Sequence, residues 1–331
     1  MSTLIELKQY IGNFISRFEV YLKPIGKLLL SLIALITINS RLGYMHKLDN
    51  ISIVMIVALM CSFMPANFIV LISAVFIVLH MYALSLEYCI VILVLFIVLF
   101  LLYFRFSPKD TVVVVITPLL CMMGMPYVLP VAMGLIGGPY SAVSLACGLI
   151  VSFVLGAVSD NATALAALET EDMATRLKLI IDSMMDNKAL ISMIIAFAIT
   201  VMVVFFVKRM SIDYAWTIAI VSGAVVDAVI VLVCDLAMDA DISIVGILFG
   251  TILAVVVGFI IQFLLFNVDY NRTEKVQFED DEYYYYVKAV PKVTVAAPAK
   301  TVKKINSSKK RPAARPSQRN TARITDLDDE E

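Results

Sequence analysis

The sequence predicts an all-α protein: a polytopic bundle of about eight to ten transmembrane helices, some short or broken, followed by a disordered C-terminal tail. Hydrophobic residues make up 61% of the chain and charged residues only 16%, compared with about 45–50% and about 25% in soluble domains. Residues 111–159 contain no Asp, Glu, Lys, Arg or His, and residues 51–104 contain only His80 and Glu87. Because a membrane-spanning helix needs about 20 apolar residues, each of these blocks can supply several spans.

Residues 1–24 predict an amphipathic helix at the membrane interface. Over residues 4–22, apolar side chains recur at steps of three and four, while charged and polar side chains occupy the other positions. Such a helix lies along the cytoplasmic surface of the membrane or packs against the bundle, and the pattern leaves both alternatives open. Charged residues near the N-terminus also argue against a cleavable signal peptide.

The transmembrane domain is predicted to cover residues 25–267. Its first span is expected over residues 25–40, and a hydrophilic extracellular segment is expected over residues 160–188. Proline cannot continue a helix without losing a hydrogen bond, so Pro65 and Pro126 mark breaks inside the long apolar blocks. The blocks therefore contain some short or interrupted helices.

Three segments of this domain resemble one another and suggest internal repeats: residues 49–104, 110–160 and 213–267. An aspartate at the start of each segment stands just before an apolar run, where its side chain would cap a helix. In the last helix of the two later segments a small residue recurs at every fourth position, a pattern that lets two helices approach closely. The first segment lacks this stripe, so chance similarity between apolar sequences stays open beside true duplication. The aspartates are Asp49, Asp110 and Asp213, and the stripes are Ser144, Gly148, Ser152 and Gly156, and Gly246, Gly250, Ala254 and Gly258.

Basic residues near the span ends predict the orientation in the membrane. The loops at 105–110 and 208–213 carry Lys and Arg, whereas the turn at 235–241 and the segment 160–188 are acidic. Since Lys and Arg concentrate in cytoplasmic loops, both termini are expected in the cytoplasm of a multi-pass protein of the bacterial cell membrane. This orientation gives ten crossings, or about eight if a short pair of helices is re-entrant.

Asp227 is the ionisable residue that lies deepest in a predicted span. It stands well inside the apolar run that starts at Tyr214. A carboxylate at such a depth is costly in lipid and is expected to face the interior of the bundle, which makes Asp227 the candidate contact for an ion or a cationic substrate. A hydrogen bond between helices is the alternative. His80 lies near a predicted span end, which favours an interfacial histidine over a binding site.

The sequence carries no signature of an enzyme, a metal centre or a cofactor site. It has no glycine-rich phosphate loop, no HExxH or GxSxG motif, and two histidines in total. Its five cysteines are scattered singly through apolar segments, as small buried residues are. We therefore expect no enzymatic activity, no cofactor and no bound metal, and any ATP hydrolysis that the protein depends on would come from a partner.

Residues 268–331 are predicted to form a cytoplasmic tail. A run of tyrosines followed by alternating valines predicts a strand that can bind a partner by pairing with a sheet edge. Residues 288–323 contain eleven Lys or Arg and no acid, and this composition predicts disorder. The basic run is expected to adhere to the anionic inner leaflet rather than to nucleic acid, and a merely solubilising tail is the alternative. The tyrosines are Tyr283, Tyr284, Tyr285 and Tyr286.

Three segments, at residues 104–110, 210–216 and 276–286, resemble uncharacterised bacterial polytopic membrane proteins, some of which are labelled ABC-type transporter permeases. The resemblance covers most of the chain and implies transport, but it assigns no site residues. Residues 111–160, with short helices, a Gly-Gly-Pro sequence and a small-residue helix, also resemble the substrate-binding subunits of energy-coupling-factor transporters. The sequence lacks the coupling-helix motif of an ATP-driven permease.

Two functions are consistent with these features. The first is a permease-like component of a transport system, embedded in the lipid bilayer and served by a cytoplasmic ATPase or assembly factor that binds the tail. The second is a scaffold that transports nothing and recruits a cytoplasmic partner through the tail. Assembly as a homo-oligomer is left open for both.

Overall fold

The computed structural model describes residues 2–167, 178, 181, 187–240, 242–265, 274–279 and 284–289. Within these residues the chain forms ten helices and two strands, and its contacts divide it into two units, Met1–Asp269 and Tyr270–Glu331. The helices are α1 Ser2–Leu42, α2 Ile51–Phe63, α3 Asn67–Leu84, α4 Leu86–Phe106, α5 Thr111–Met122, α6 Val128–Ile136, α7 Ser141–Ala167, α8 Lys188–Val207, α9 Ala215–Met238 and α10 Ile244–Leu265; the strands are β1 Glu274–Glu279 and β2 Tyr284–Ala289.

Seven of the described helices are long and apolar enough to cross a membrane. In lipid a span has to satisfy its own backbone hydrogen bonds, and a helix does so within one segment. Three further apolar helices are short: α2 has 13 residues, α5 has 12 and α6 has 9. The prediction of a multi-pass helical membrane protein with some short spans is therefore confirmed.

Helix α1 is one continuous helix of 41 residues, with Pro24 inside it. The sequence predicts an amphipathic helix and a separate first span on either side of this proline, and the structure joins the two. Proline removes only one helical hydrogen bond, the one to the carbonyl of Val20, and the helix continues through it. The Ser62 hydroxyl of α2 donates to the Pro24 carbonyl at 2.8 Å and so connects α1 with α2 at this point. At 1.5 Å per residue α1 is about 60 Å long, twice the thickness of the hydrocarbon core. The interfacial location of residues 1–24 stays a prediction.

The predicted aspartate caps do not form at the starts of the repeat segments. Asn50, rather than Asp49, caps α2, where its Oδ1 accepts a hydrogen bond from the helix backbone at 3.0 Å. Asp110 precedes α5 without capping it, because its Oδ2 accepts a hydrogen bond from the Ser144 hydroxyl of α7 at 3.3 Å. Asp213 lies one residue outside the cap position of α9. The carboxylate of Asp110 therefore ties two helices together instead of starting one.

Hydrogen bonds between the helices show which helix ends lie together at each end of the bundle. At one end, Tyr103 of α4 donates to Asn67 at the start of α3 at 3.1 Å, and its hydroxyl lies 3.0 Å from that of Thr111 on α5. At the other end, His80 of α3 contacts Asn39 of α1 at 2.9 Å. We name the first the basic end, after Arg105, Lys109, Lys208 and Arg209, and the second the acidic end, after Asp160, Asp235 and Asp239. Each end also carries charges of the other sign: Asp110 and Asp213 at the basic end, and Arg41, Lys47 and Lys188 at the acidic end.

Helices α8, α9 and α10 also start and finish at these two ends of the bundle. Lys208, just after α8, donates to the carbonyl oxygen of Leu135 in α6 at 2.7 Å at the basic end. Gln262 of α10 donates to Thr217 of α9 at 3.2 Å, so α9 starts where α10 finishes. The start of α1's membrane-spanning part and the end of α10 therefore lie on the same side of the bundle.

Helices α5 and α6 form a hairpin that enters the bundle only halfway. Helix α5 begins beside the start of α7, and Cys121 near its end lines the same space as Ser152, near the middle of the predicted α7 span. The chain then turns at Gly124, whose φ of 71° is readily adopted by glycine, and returns along α6 to the basic end. The two helices are about 18 and about 14 Å long, too short for a hydrocarbon core of about 30 Å. The hairpin matches the re-entrant alternative. Beside it the structure describes seven helices long enough to span the membrane and the shorter apolar helix α2.

The second unit contains an antiparallel hairpin of β1 and β2, with Glu274 opposite Ala289 and Glu279 opposite Tyr284. The tyrosines at 284–286 belong to β2, whereas Tyr283 lies outside the described residues. Of the disorder predicted for residues 288–323, Lys288 and Ala289 instead belong to β2, and the remainder falls outside the described residues. Partner binding by the tyrosines stays a prediction.

Gly148→Ala should destabilise the bundle because the added methyl group has no space. A Cβ at Gly148 would lie 2.5 Å from the Cβ of Thr117 on α5. Overpacking of this kind costs about 1–3 kcal/mol, so we expect a lower melting temperature of the purified protein in detergent. Gly156→Ala on the same helix is the control, because an added Cβ there meets no atom within 4 Å. Equal melting temperatures for the two variants would contradict close packing of the hairpin on α7.

Candidate functional site

A cavity of about 580 Å³ opens at the acidic end, above the turn of the α5–α6 hairpin. Its walls come from α7, α8 and α10, and its base includes Gly124, Pro126 and Tyr127 of the turn. The space exists because the hairpin stops halfway along the bundle and leaves the volume above it unfilled. The break that the sequence predicts at Pro126 therefore forms the base of a cavity.

The walls of the cavity carry hydrogen-bonding groups and one charge. Among the described residues that line it, Asp160 is the only charged one, while Asn187 supplies an amide and Ser152 and Ser243 supply hydroxyls. Asp160 is exposed. The described lining has no Lys, Arg or His, although the exposed Lys188 stands between two of its members, Asn187 and Ala189. The Asp160 carboxylate inside the cleft is a group that attracts a cation.

Tyr127 separates the cavity from the deeper interior. Its ring packs edge-to-face on Phe197 of α8, with the ring centroids 6.1 Å apart. Gly250 of α10 lies against the same ring and leaves no space for a Cβ. Both aromatic residues are buried. We call Tyr127 and Phe197 the aromatic floor of the cavity.

Asp227 is buried about one helical turn beyond the aromatic floor, toward the basic end. It lies at the middle of the 24-residue helix α9, with 2% of its surface exposed. The Thr200 hydroxyl donates to Asp227 Oδ1 at 3.1 Å, and Thr200 follows Phe197 by one turn of α8. The structure thus places this carboxylate inside the bundle, beneath the cavity, and its role as an ion or substrate contact stays a prediction.

Close packing separates Asp227 from the basic end. Val204 of α8 fills the space beside Gly134 of α6 and Gly223 of α9, and a Cβ at either glycine would overlap with its side chain. Val131 of α6 lies next to the same position of α9. We call Val131, Gly134, Val204 and Gly223 the inner barrier. Within the described residues the cavity opens at the acidic end, and the inner barrier closes this route toward the basic end.

Lys208 joins three helices on the basic-end side of the inner barrier. Its Nζ donates to the Leu135 carbonyl at 2.7 Å and lies 5.2 and 5.9 Å from the ring centroids of Phe205 and Trp216. A cation at the C-terminus of α6 is also stabilised by the helix dipole. Burial, with a smaller contribution from the Arg209 guanidinium, lowers the pKa of Lys208 from its ordinary value. These contacts connect α6, α8 and α9.

His80 holds a loop in place at the acidic end. It is fully buried, and its Nδ1 accepts a hydrogen bond from the Met45 backbone N–H at 3.1 Å. Because a backbone N–H can only donate, Nδ1 carries no proton, and Nε2–H donates to Asn39 Oδ1 at 2.9 Å. The neutral imidazole therefore connects the loop after α1 with α3, which is a structural role.

The small-residue stripes extend from packed positions to the cavity. Gly148 packs against α5, Gly250 against the aromatic floor and Gly258 against α9. Gly156 and Gly246, nearest the acidic end, line the cavity instead. Among the described residues, no three His, Cys, Asp or Glu side chains are grouped so that they could hold a metal ion.

Comparisons with known proteins find no match to this chain: no family model, no curated protein and no solved structure is similar to it. The cavity, the aromatic floor and Asp227 are the features from which a function can be inferred.

Thr200→Val should destabilise the protein more than Asp227→Asn. Valine lacks the hydroxyl that donates to Asp227, and depriving a buried carboxylate of this partner costs about 1–3 kcal/mol or more. Asparagine keeps an oxygen at the same position, so the hydrogen bond from Thr200 persists. Thermal unfolding of the two variants in the same detergent measures the difference. A lower melting temperature for Asp227→Asn than for Thr200→Val would be the opposite of what this hydrogen bond requires.

Proposed function

We propose that this membrane protein is the permease-like component of a transport system, with a transport path that runs through the cavity and past Asp227. The observation that carries the proposal is the order of features along the bundle: a polar cavity, an aromatic floor, a buried carboxylate and a tightly packed inner barrier. A path that is open at one end and closed at the other is what an alternating-access transporter presents in one of its states.

The half-depth hairpin supports this path. At membrane depth, backbone that leaves a helix is tolerated where it is buried in protein or lines a water-filled cavity. The turn after α5 lines the cavity, and its first amides are paired: the N–H groups of Gly124 and Met125 donate to the carbonyl oxygens of Cys121 and Leu120 at 3.0 and 2.9 Å. Short or broken helices near the middle of the membrane are a recurrent way to build transporter sites.

Asp227 supports a site for a cation or a proton. A carboxylate in the middle of a span is costly in lipid, and such residues mark ion and substrate pathways. Its hydrogen-bond partner Thr200 is neutral, so a bound cation or proton can supply the positive charge that would offset this cost. The Asp160 carboxylate favours the entry of cations into the same path.

The distribution of charge supports a cavity that faces outward. Lys and Arg concentrate in the cytoplasmic loops of membrane proteins, so the basic end belongs in the cytoplasm and the acidic end outside. In this orientation the membrane unit of the chain has both of its ends in the cytoplasm. The cavity then opens to the exterior of the cell membrane.

A cysteine at Val204 should become reactive when the path opens toward the cytoplasm. In a variant without native cysteines, we expect Val204→Cys to react with a small water-soluble maleimide in inside-out vesicles, because opening separates Val204 from Gly134 and Gly223. Mass spectrometry of the intact protein measures the labelling rate. Ala58→Cys is the matched control, since both side chains are 0% exposed and Ala58 lies on α2, away from the path. Equal rates at the two positions would show a static inner barrier and contradict transport by alternating access.

A scaffold that recruits a cytoplasmic partner is the second candidate, and the β-hairpin of the tail favours it. Tyr286 of β2 is 76% exposed. The edge of a hairpin can accept a strand from another protein, and an ATPase or an assembly factor is the kind of partner that either function would use.

Deleting residues 270–331 should separate the two functions. We expect the membrane unit to keep the difference in labelling between Val204→Cys and Ala58→Cys, because the path lies within that unit. Cytoplasmic proteins that are cross-linked to the full-length chain should be lost from the truncated one. If the truncated protein stays monodisperse but Val204→Cys no longer reacts, the permease is not self-sufficient and the tail is part of the mechanism.

A further inference from the structure

An apolar groove of about 490 Å³ runs beside the cavity, on the side of α7 that faces α4. Its walls include Ile90, Val94 and Val98 of α4, Ile150 and Val154 of α7, and Leu190 of α8. Val94 is 55% exposed at membrane depth, so the groove opens to the surrounding lipid. Along α4 it extends about 12 Å, close to the depth of one hydrocarbon leaflet. Because α4 starts at the acidic end, this is the leaflet on the same side as the mouth of the cavity.

The groove and the cavity share a wall. Phe153, Ala157 and Asn187 line both spaces. The shared wall contains a small residue, Ala157, next to Gly156. An added Cβ at Gly156 would meet no atom within 4 Å, so the wall is thin at this point. A molecule can therefore occupy the two spaces at once, with one part in lipid-facing apolar surroundings and the other in the polar cavity.

The side chains that line the groove and the cavity indicate the class of molecule that fits both. The groove suits a hydrocarbon tail, since burial of apolar surface against apolar side chains needs no polar partner. The described lining of the cavity offers a carboxylate at Asp160, an amide at Asn187 and hydroxyls, without Lys, Arg or His. A phosphate head group would place like charges together in this cavity, whereas an ammonium group would meet an opposite charge.

We propose that the path carries an amphiphile with a cationic head group, which enters sideways from the leaflet at the acidic end. Its tail lies in the groove along α4, and its ammonium head lies in the cavity beside Asp160. This inference rests on the proposed function, because it names the substrate class of the same cavity. Asp227, beyond the aromatic floor, is the second carboxylate that the head group meets on its way through.

Photolabelling of the full-length protein in phosphatidylcholine nanodiscs tests the proposal. The probe is hexadecylamine with a diazirine in its tail, and the comparison probe is hexadecanoic acid with the diazirine on the same carbon. We expect the amine to label peptides from α4 and α7 around Val94 and Val154, and unlabelled hexadecylamine to compete. The acid should label these peptides less, without competition by the amine.

Asp160→Asn should reduce labelling by the amine about fivefold, the scale of one partly exposed ion pair, and should not reduce labelling by the acid, because the variant removes a like charge. Asp239→Asn is the matched control. It removes an exposed carboxylate at the same end of the bundle, and Asp239 does not belong to the described lining of the cavity. This variant should label like the unmodified protein.

Equal labelling by the amine and the acid, or equal effects of Asp160→Asn and Asp239→Asn, would mean that the groove holds ordinary annular lipid and would overturn the inference. If the amine is not selected but Val204→Cys reacts, this substrate class is wrong and the permease function stands. If the amine labels selectively but Val204→Cys stays unreactive, the site for a cationic amphiphile is supported and transport through that site is contradicted.

Discussion

A backbone that enters hydrocarbon must find all of its hydrogen-bond partners within the protein or in trapped water, and the rest of this structure depends on how the α5–α6 hairpin meets that constraint. The hairpin leaves helical geometry halfway along the bundle. The amides of Gly124 and Met125 pair with carbonyl oxygens of α5, and the turn lines a polar cavity rather than lipid. Because the hairpin stops there, α7, α8 and α10 enclose a space of their own. The cavity and the aromatic floor both follow from this halted pair of helices.

Glycines hold the hairpin in position. Apolar side chains gain little by leaving lipid for protein, so helices in a membrane associate through close contact instead. Gly148 accepts the side chain of Thr117, Gly250 accepts the ring of Tyr127, and Gly134 of the hairpin itself accepts Val204 of α8. Each contact brings the short helices against a full-length neighbour. The hairpin is therefore fixed on three sides, while the side above its turn stays open.

The class of fold can be predicted from the sequence, because each membrane segment has to avoid placing polar groups in lipid whatever its neighbours are. The burial of Asp227 is predictable on the same ground. The depth of the hairpin is less accessible to sequence reasoning, because Pro126 marks a break whether the chain crosses the membrane or returns. Thr200 and Tyr127 are ordinary residues of apolar segments, and they acquire a role only when α8 and the turn meet α9. The continuity of α1 through Pro24 is likewise not predictable, because a proline marks the same possible break whether or not the helix continues past it.

The position of Asp227 at the middle of α9 has an electrical consequence. A cation that arrives there from the acidic end has moved through about half of the voltage drop across the membrane. One elementary charge moved across 100 mV corresponds to about 2.3 kcal/mol, so half of that path corresponds to about 1.2 kcal/mol, or roughly sevenfold in occupancy. In the orientation that we propose, a negative cell interior would strengthen the binding of a cation at this carboxylate, and depolarisation would weaken it by the same factor.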